Sequence, residues 1–338
     1  MRKYFLPMMI VLALMSSLSM KSSPLRGDVN EDGMVNITDV TTLIDYLSGG
    51  QMDEDVSVAN GDVNDDEMVN IADATVLIDY ILFKQWIGVS KTVTVNGVSF
   101  KMIFVNGVSF KMIFVDGGTF VMGSKDTTLT SLHYPPHEVT LSSFYMGQTE
   151  VTQALWTAVM GSNPSNTKGA TLPVENMTWA DQVQFVAQLN AMTGLSFSLP
   201  TEAQWEFAAR GGNLGCGYDY SGGNDLDEIA WYSGNSGRKT HPVATKKANE
   251  LGLYDMTGNV YERVSDYYAP YTTKPQTNPT GPATAPDPSL GSSRLNRGGG
   301  AQGGNWSSYH VWLRCRQYED YRGPFDGLRI VLSATEAL

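Results

Sequence analysis

The chain has 338 residues, 42% hydrophobic and 17% charged, which is enough apolar side chain to bury a core and argues against a disordered chain. Acids outnumber bases 35 to 23, and a formal net charge of −12 argues against a nucleic-acid partner, which needs a basic face. The imbalance is local: residues 28–83 hold 14 of the acids and no Lys or Arg, and the remainder carries 21 acids against 23 bases.

Residues 1–19, MRKYFLPMMIVLALMSSLS, begin with Arg2 and Lys3, continue through an apolar run from Tyr4 to Met15, and end near the small residues Ser17 and Ser19. That order is the pattern of a secretory signal peptide, and the run is too short for a membrane span. The mature protein is therefore expected to be secreted or held at the cell surface, with no membrane span. No cysteine follows the run, which argues against a lipid anchor. Export permits disulfides, and with Cys216 and Cys315 as the two cysteines, a Cys216–Cys315 bridge is expected over two free thiols. Two thiols and four His argue against a structural zinc cluster.

The acidic segment is a duplication. Residues 27–47 and 61–81 match at 15 of 21 positions with an offset of 34. Each copy opens with a loop carrying oxygen side chains at steps 1, 3, 5, 9 and 12. These are Asp28, Asn30, Asp32, Asn36 and Asp39 in the first loop, and Asp62, Asn64, Asp66, Asn70 and Asp73 in the second. Calcium is a hard cation that takes several oxygens at once, and such a loop wraps it, with a backbone carbonyl at step 7, here Met34 and Met68. Clustered carboxylates repel one another without a cation, so metal and folding are expected to be coupled. Amphipathic helices follow: Val40, Leu43, Ile44 and Leu47 recur at helical spacing, as do Ala74, Leu77, Ile78 and Ile81. Gly33 supplies the flexible sixth position of the first loop. Glu67 stands there in the second, which predicts a weaker site.

Residues 26–84 resemble a type I dockerin, a small all-α module of two calcium loops. The resemblance implies docking into a cohesin-like scaffold, with intramolecular docking as the alternative. The partner-contacting positions it implies are Ile37, Thr38, Ile71 and Ala72, where the family often has hydroxyl residues and this chain keeps one at Thr38.

Residues 95–104 read VNGVSFKMIF, and 105–114 repeat the same ten. The composition is that of a strand, and Asn106-Gly107 is a strong hairpin signal. Either it turns one copy back on the other, or one copy is surplus. An extra apolar strand is an edge-pairing hazard. Residues 85–114 are read as linker and duplicated strand.

Beyond them the pattern is mixed. Short helices are predicted at 153–160, 181–193 and 202–210, the third opened by a Thr201/Gln204 capping box. Residues 268–296, with six Pro, read as a long loop. Trp156, Trp179, Trp205 and Trp231 read as core packing.

Residues 115–335 resemble the sulfatase-modifying-factor family, which includes the formylglycine-generating enzymes. The runs that carry this are GGTFVMGS (117–124), HEVTLSSFYMGQTEVTQALWTAVMGSNPS (137–165), LPVENMTWADQVQFVAQLN (172–190), FSLPTEAQWEFAARGG (197–212), ELGLYDMTGNVYERVSDYY (250–268), RGGG (297–300) and GLRIVL (327–332). The resemblance implies an irregular α+β fold related to that of C-type lectins. It also implies where the oxidative chemistry would sit. The formylglycine-generating members use two copper-binding cysteines five positions apart, because Cu(I) needs soft thiolate ligands. Counting back from Cys315, those positions here are Asn305 and His310, so formylglycine synthesis is not expected. The family's calcium turn maps onto the side chains of Asp255 and Glu262 and the carbonyls of Gly258 and Val260, with Tyr261 and Arg263 where the family has Trp.

Residues 301–326 are dense in Asn, Ser, Tyr, Trp, His and Arg, a composition like that of a paratope. Some members of the fold are receptors diversified in this segment, and Asn305, Trp306, Tyr309, His310, Trp312, Arg316, Gln317 and Tyr318 are the expected ligand-binding face, with ordinary drift of a surface loop as the alternative. The expectation is a secreted, non-catalytic binding protein with a calcium-dependent docking module and a lectin-like face for an unknown protein or glycan. The alternatives are a formylglycine-type oxidoreductase and an accessory component of a polysaccharide-degrading assembly.

Overall fold

The protein is described by a computed structural model for residues 26–49, 58–63, 68–83, 88–89, 93–95, 98–126, 133–286, 292–302 and 309–335. The expected signal peptide lies outside them. The chain divides into two compact units, Met1–Ile81 and Leu82–Leu338.

In the first unit the helices are α1 (Ile37–Leu47), α2 (Val58–Gly61) and α3 (Ile71–Phe83). The loop builds the start of α1. Asn36 caps it by accepting from Thr38 N at 2.9 Å, and its own N–H donates to Asp39 Oδ2 at 2.8 Å, closing a capping box. The second copy repeats this closure, with Asn70 N donating to Asp73 Oδ2 at 2.7 Å. The duplicated apolar positions are buried alike: Val29 and Val63 are fully buried, as are Leu43 and Leu77. Arg26 Nε donates to Val63 O at 2.7 Å, and Asn60 Nδ2 to Asp28 O at 2.8 Å, tying the copies together.

The second unit begins with β1 (Gly88–Val89), β2 (Val93–Val95), β3 (Val98–Val105), β4 (Val108–Val115), β5 (Gly118–Met122), β6 (His137–Leu141) and β7 (Phe144–Gly147). It continues with α4 (Gln153–Met160), α5 (Trp179–Thr193), α6 (Glu202–Ala209) and α7 (Leu226–Ile229). The last strands are β8 (Tyr261–Tyr267), β9 (Gln276–Thr277), β10 (Ser293–Arg297), β11 (Cys315–Tyr318), β12 (Asp326–Leu328) and β13 (Val331–Ser333). Among the described residues they form three sheets, ordered β1-β3-β4-β7-β13 with β2 beside β3, β11-β10-β8-β12, and β5-β6-β9.

The duplicated decapeptide is a hairpin. β3 and β4 pair from Phe100↔Ile113 to Val105↔Val108, and Asn106 and Gly107 turn with φ of 48° and 79°, the left-handed pair a tight two-residue turn needs. β4 pairs onward with β7, so the second copy is not surplus. Ile103, Val105 and Met112 enter the main core with Trp156, Phe185, Leu189, Phe197 and Leu328, so this segment belongs to the domain and is not a linker. Trp156 stacks flat on Phe185 at 4.9 Å. Trp205 is fully buried, whereas Trp179 and Trp231 are half-buried. Helix α5 starts two residues earlier than its apolar spacing predicts, because Thr178 and Asp181 form its capping box. The Pro-rich stretch 268–296 holds β9 and most of β10, so it is not one uninterrupted loop. The expected disulfide does not form. Cys216 is exposed in the turn after α6 and Cys315 opens β11, and both are free thiols.

A buried charge network joins α6 to β10 and the segment leading into β11. Arg297, fully buried, donates to Glu206 Oε2 at 2.6 Å and Glu202 Oε1 at 3.1 Å. Arg314 grips Glu202 through Nε at 2.6 Å and Nη2 at 2.8 Å. Burial works to raise the pKa of Glu206, but Arg210 and Arg297 outweigh it and hold the group below its ordinary value. His133 is pushed down to about 4 by burial and by Arg297 and Arg314. Asp266 is pushed up to about 7, first by burial and then by the Glu202 charge. A carboxyl raised in the folded state is stabilising while protonated, and that contribution is lost as pH rises from about 4 to about 7. Asp266→Asn is therefore expected to unfold at a higher temperature than the native chain at pH 8, by the equivalent of ~2–4 kcal/mol, with little difference at pH 4.5. Thermal melts at both values check this, and a loss at pH 8 contradicts it.

Candidate functional site

Three regions bear on function. The first is the calcium loop. Asp39, fully buried, accepts from Val29 N at 2.8 Å, Asn30 N at 3.2 Å and Asn36 N at 2.8 Å. Asp28, also buried, accepts from Asp32 N and Gly33 N, each at 3.0 Å. Asp32 accepts from Met34 N at 2.8 Å, while the Met34 side chain is 62% exposed, as suits a residue that offers its carbonyl. Gly33 turns the chain with φ of +85°. Burial raises the pKa of Asp39, and the neighbouring charge of Asp28 raises it further. Among the described residues no group of three or more His, Cys, Asp or Glu side chains could hold a metal ion by itself, so amide and carbonyl oxygens must complete any set. This all-oxygen donor chemistry fits calcium and not a soft metal. In the second loop Asp62, Met68, Asn70 and Asp73 are described, with Asp73 fully buried; Asn64, Asp66 and Glu67 lie outside the described residues. Ile37 and Ile71, at the helix starts, are 60% and 67% exposed.

The second region is the GNVYE turn. Gly258 has φ of +89°, and a Cβ there would stand 2.4 Å from Trp231 O. Glu262 is completely buried, but both its oxygens are occupied. Arg329 donates to them at 2.6–3.1 Å and Trp205 Nε1 at 2.7 Å. This departs from the expected calcium ligand set: an arginine already neutralises the carboxylate assigned to the metal. Asp255 accepts from Ala244 N at 2.7 Å through Oδ2, and its buried Oδ1 has no partner among the described residues. Burial pushes Asp255 up to about 6. Val260 N donates to Glu150 at 2.9 Å. Burial, Asp255 and Glu262 raise Glu150 well above the ordinary carboxyl range.

The third region is the expected ligand face. Asn305 and Trp306 lie outside the described residues. Tyr309 and His310 do not belong to an exposed face. Tyr309 is fully buried and donates to Gly300 O at 3.2 Å. His310, 9% exposed, packs between Tyr220 at 4.9 Å and Trp312 at 4.6 Å, and Trp312 meets His133 at 5.4 Å. The apolar surroundings and aromatic contacts draw these side chains inward, where composition alone predicted an outward face. Arg316 and Tyr318 do point outward from β11, and Cys315 and Gln317, which alternate with them, are half-buried. A cavity of about 370 Å³ opens beside this strand. Its lining includes Tyr261, Asn296, Arg316, Gln317 and Asp326. Asn296 Nδ2 donates to Asp326 Oδ1 at 2.7 Å, while Asn296 Oδ1 is buried without a partner among the described residues. Arg263, cross-strand from Asn296, donates to Tyr321 O at 2.9 Å, and its Nε and Nη1 have no partner among the described residues. Burial pushes the Cys315 thiol and the Asp326 carboxyl up. Asn296 and Asp326 carried no sequence signal as site residues; the signal for Tyr261 was its replacement of a family Trp.

The chain spans less than two thirds of the curated relatives it resembles. Residues 106–334 match the sulfatase-modifying factor enzyme 1-like domain, and residues 26–82 match the dockerin type I domain. Chaperone protein LppX of Paenibacillus barcinonensis is 37% identical over 179 residues, covering 38% of this chain and 64% of that protein. The formylglycine-generating enzyme of Streptomyces coelicolor is 32% identical over 162 residues, covering 43% of this chain and 47% of the enzyme. Treponema denticola variable protein 1 superimposes with a TM-score of 0.63 at 32% identity, covering 69% of this chain and 99% of its own. CarF, at 24% identity and a TM-score of 0.51 over 66% of this chain and 98% of its own, shares the fold.

Glu262→Gln is expected to cost about 3–5 kcal/mol, because Arg329 stays buried with its partner charge removed. It should leave the number of calcium ions bound unchanged. Chemical denaturation and calorimetric titration of the full chain check the two halves, and a lost calcium ion would return Glu262 to the metal.

Proposed function

Because the chain belongs to the sulfatase-modifying factor family and carries a type I dockerin domain, we propose that it is a secreted, non-catalytic binding protein. The dockerin domain makes the N-terminal unit a calcium-dependent docking module. In this reading calcium supplies the positive charge that lets the loop carboxylates converge, with Asp28, Asn30, Asp32, Met34, Asn36 and Asp39 holding it in the first loop and Asp62, Asn64, Asp66, Met68, Asn70 and Asp73 in the second. The exposed Ile37 and Ile71 then meet a cohesin-like scaffold.

The observation that carries the non-catalytic reading is His310. The position corresponding to a copper thiolate holds an imidazole packed between Tyr220 and Trp312. A lone imidazole in an aromatic stack does not replace a thiolate pair for Cu(I). Binding falls to the β11 face, where Arg316 and Tyr318 are exposed beside a cavity lined in part by Asn296. Tyr and Arg are residues of hot spots in recognition surfaces.

The test is a protein and glycan array probed with the full chain in calcium. Arg316→Ala and Tyr318→Ala are expected to weaken capture of the recovered ligand at least tenfold, as for hot-spot residues. Conversion of a cysteine peptide to an aldehyde with copper and oxygen would overturn the reading. Ile37→Lys with Ile71→Lys is expected to abolish calcium-dependent capture by a cohesin domain, measured by pull-down; undiminished capture would reject those positions.

A further inference from the structure

A second cavity, also of about 370 Å³, shares no lining residue with the one beside β11 and lies at the N-terminal end of α6, under the loop that follows β8. Its size falls within the range of small-molecule sites. One wall is the Asp266 carboxyl, itself 6% exposed. Oδ2 accepts from Glu202 N at 2.9 Å and Ser265 Oγ at 3.0 Å, and Oδ1 has no hydrogen-bond partner among the described residues. The opposite lip comes within touching distance at Gly281, where a Cβ would stand 2.9 Å from Asp266 Oδ1, so the site excludes any side chain at that position. The remaining walls alternate C–H surface with hydroxyls: Met122 and Pro279 on one hand, Thr272 and Thr280 on the other.

The charges around the cavity decide what it accepts. Glu202 lines it, but its oxygens are held by Arg314 and Arg297. Glu206 is held by Arg297 and Arg210. Tyr271 donates weakly to both acids and carries the Arg314 guanidinium over its ring at 3.8 Å. His137 packs against Tyr271 at 4.8 Å. Of these charged groups Arg314, Glu202 and Asp266 line the cavity, so a cationic ligand would sit beside Arg314 and an anionic one beside Asp266 and Glu202, and either meets a like charge. A neutral molecule that alternates C–H faces with hydroxyl groups meets neither cost.

We infer that this cavity is a binding site for a neutral polyhydroxylated ring of pyranose size, with Asp266 Oδ1 accepting a ligand hydroxyl. The site is independent of the β11 face and of the docking module. Asp266 acts here as a binding residue only, with no bond made or broken.

The experiment is calorimetric titration of the full chain in calcium with free pyranoses (glucose, galactose, mannose and N-acetylglucosamine) and inositol, and with choline and acetate as charged controls. At least one neutral polyol is expected to bind. Thr280→Tyr, which plugs the exposed lip, and Asp266→Ala should each weaken it at least tenfold, and Arg316→Ala should leave it unchanged. Should Asp266→Ala fail to fold, Thr280→Tyr alone carries the test. No binding by any polyol, binding by choline or acetate alone, or polyol affinity unaltered by Thr280→Tyr would each overturn the inference.

Discussion

A carboxylate taken out of water must meet a positive charge or a set of donors, since each uncompensated ion costs several kcal/mol. Both units of this chain bury acids, and they answer this constraint in different ways. The larger unit uses its own arginines: Arg297 and Arg314 on Glu202 and Glu206, and Arg329 on Glu262. Residues 28–83 contain no Lys or Arg at all, yet Asp28, Asp39 and Asp73 are buried there. Backbone N–H groups take part of the charge on Asp39, and burial still leaves that carboxyl raised. In the proposed reading calcium supplies the rest. The acidic composition and the calcium dependence are thus one property.

The same constraint accounts for the difference between the two proposed calcium regions. The dockerin loops have oxygens and no cation of their own. The GNVYE turn has Glu262, but the GLRIVL segment brings Arg329 to it, so the charge is balanced within the chain. Motif resemblance identifies the acid in both places. It does not tell which positive charge arrives, because that depends on a partner 67 residues away in sequence.

Local signals in the sequence carried much of the fold. Spacing and caps located α4 and α6 to within a residue, and Asn106-Gly107 marked the hairpin because a two-residue turn with positive φ admits few residues. The loop duplication gave the metal-ligating positions proposed for both loops, since alternate oxygens in a short loop suit a hard cation. What stayed hidden was long-range. Composition placed Tyr309 and His310 on an exposed face, whereas contacts with Gly300, Tyr220 and Trp312 bury them. The Cys216–Cys315 pairing failed because two cysteines in one chain carry no information about proximity. Asp266, the acid most open to a new role, looked like any other acid until the loop around Gly281 was seen to close on it.

The central claim, that a divalent cation supplies the counter-charge the N-terminal unit lacks, is tested most directly by amide hydrogen exchange of the full chain in calcium and in chelator. Protection of residues 26–49 and 68–83 should collapse when the metal is removed, while protection of residues 98–335, whose acids are neutralised by arginine, should stay the same. Equal protection of the N-terminal residues with and without calcium would contradict the account.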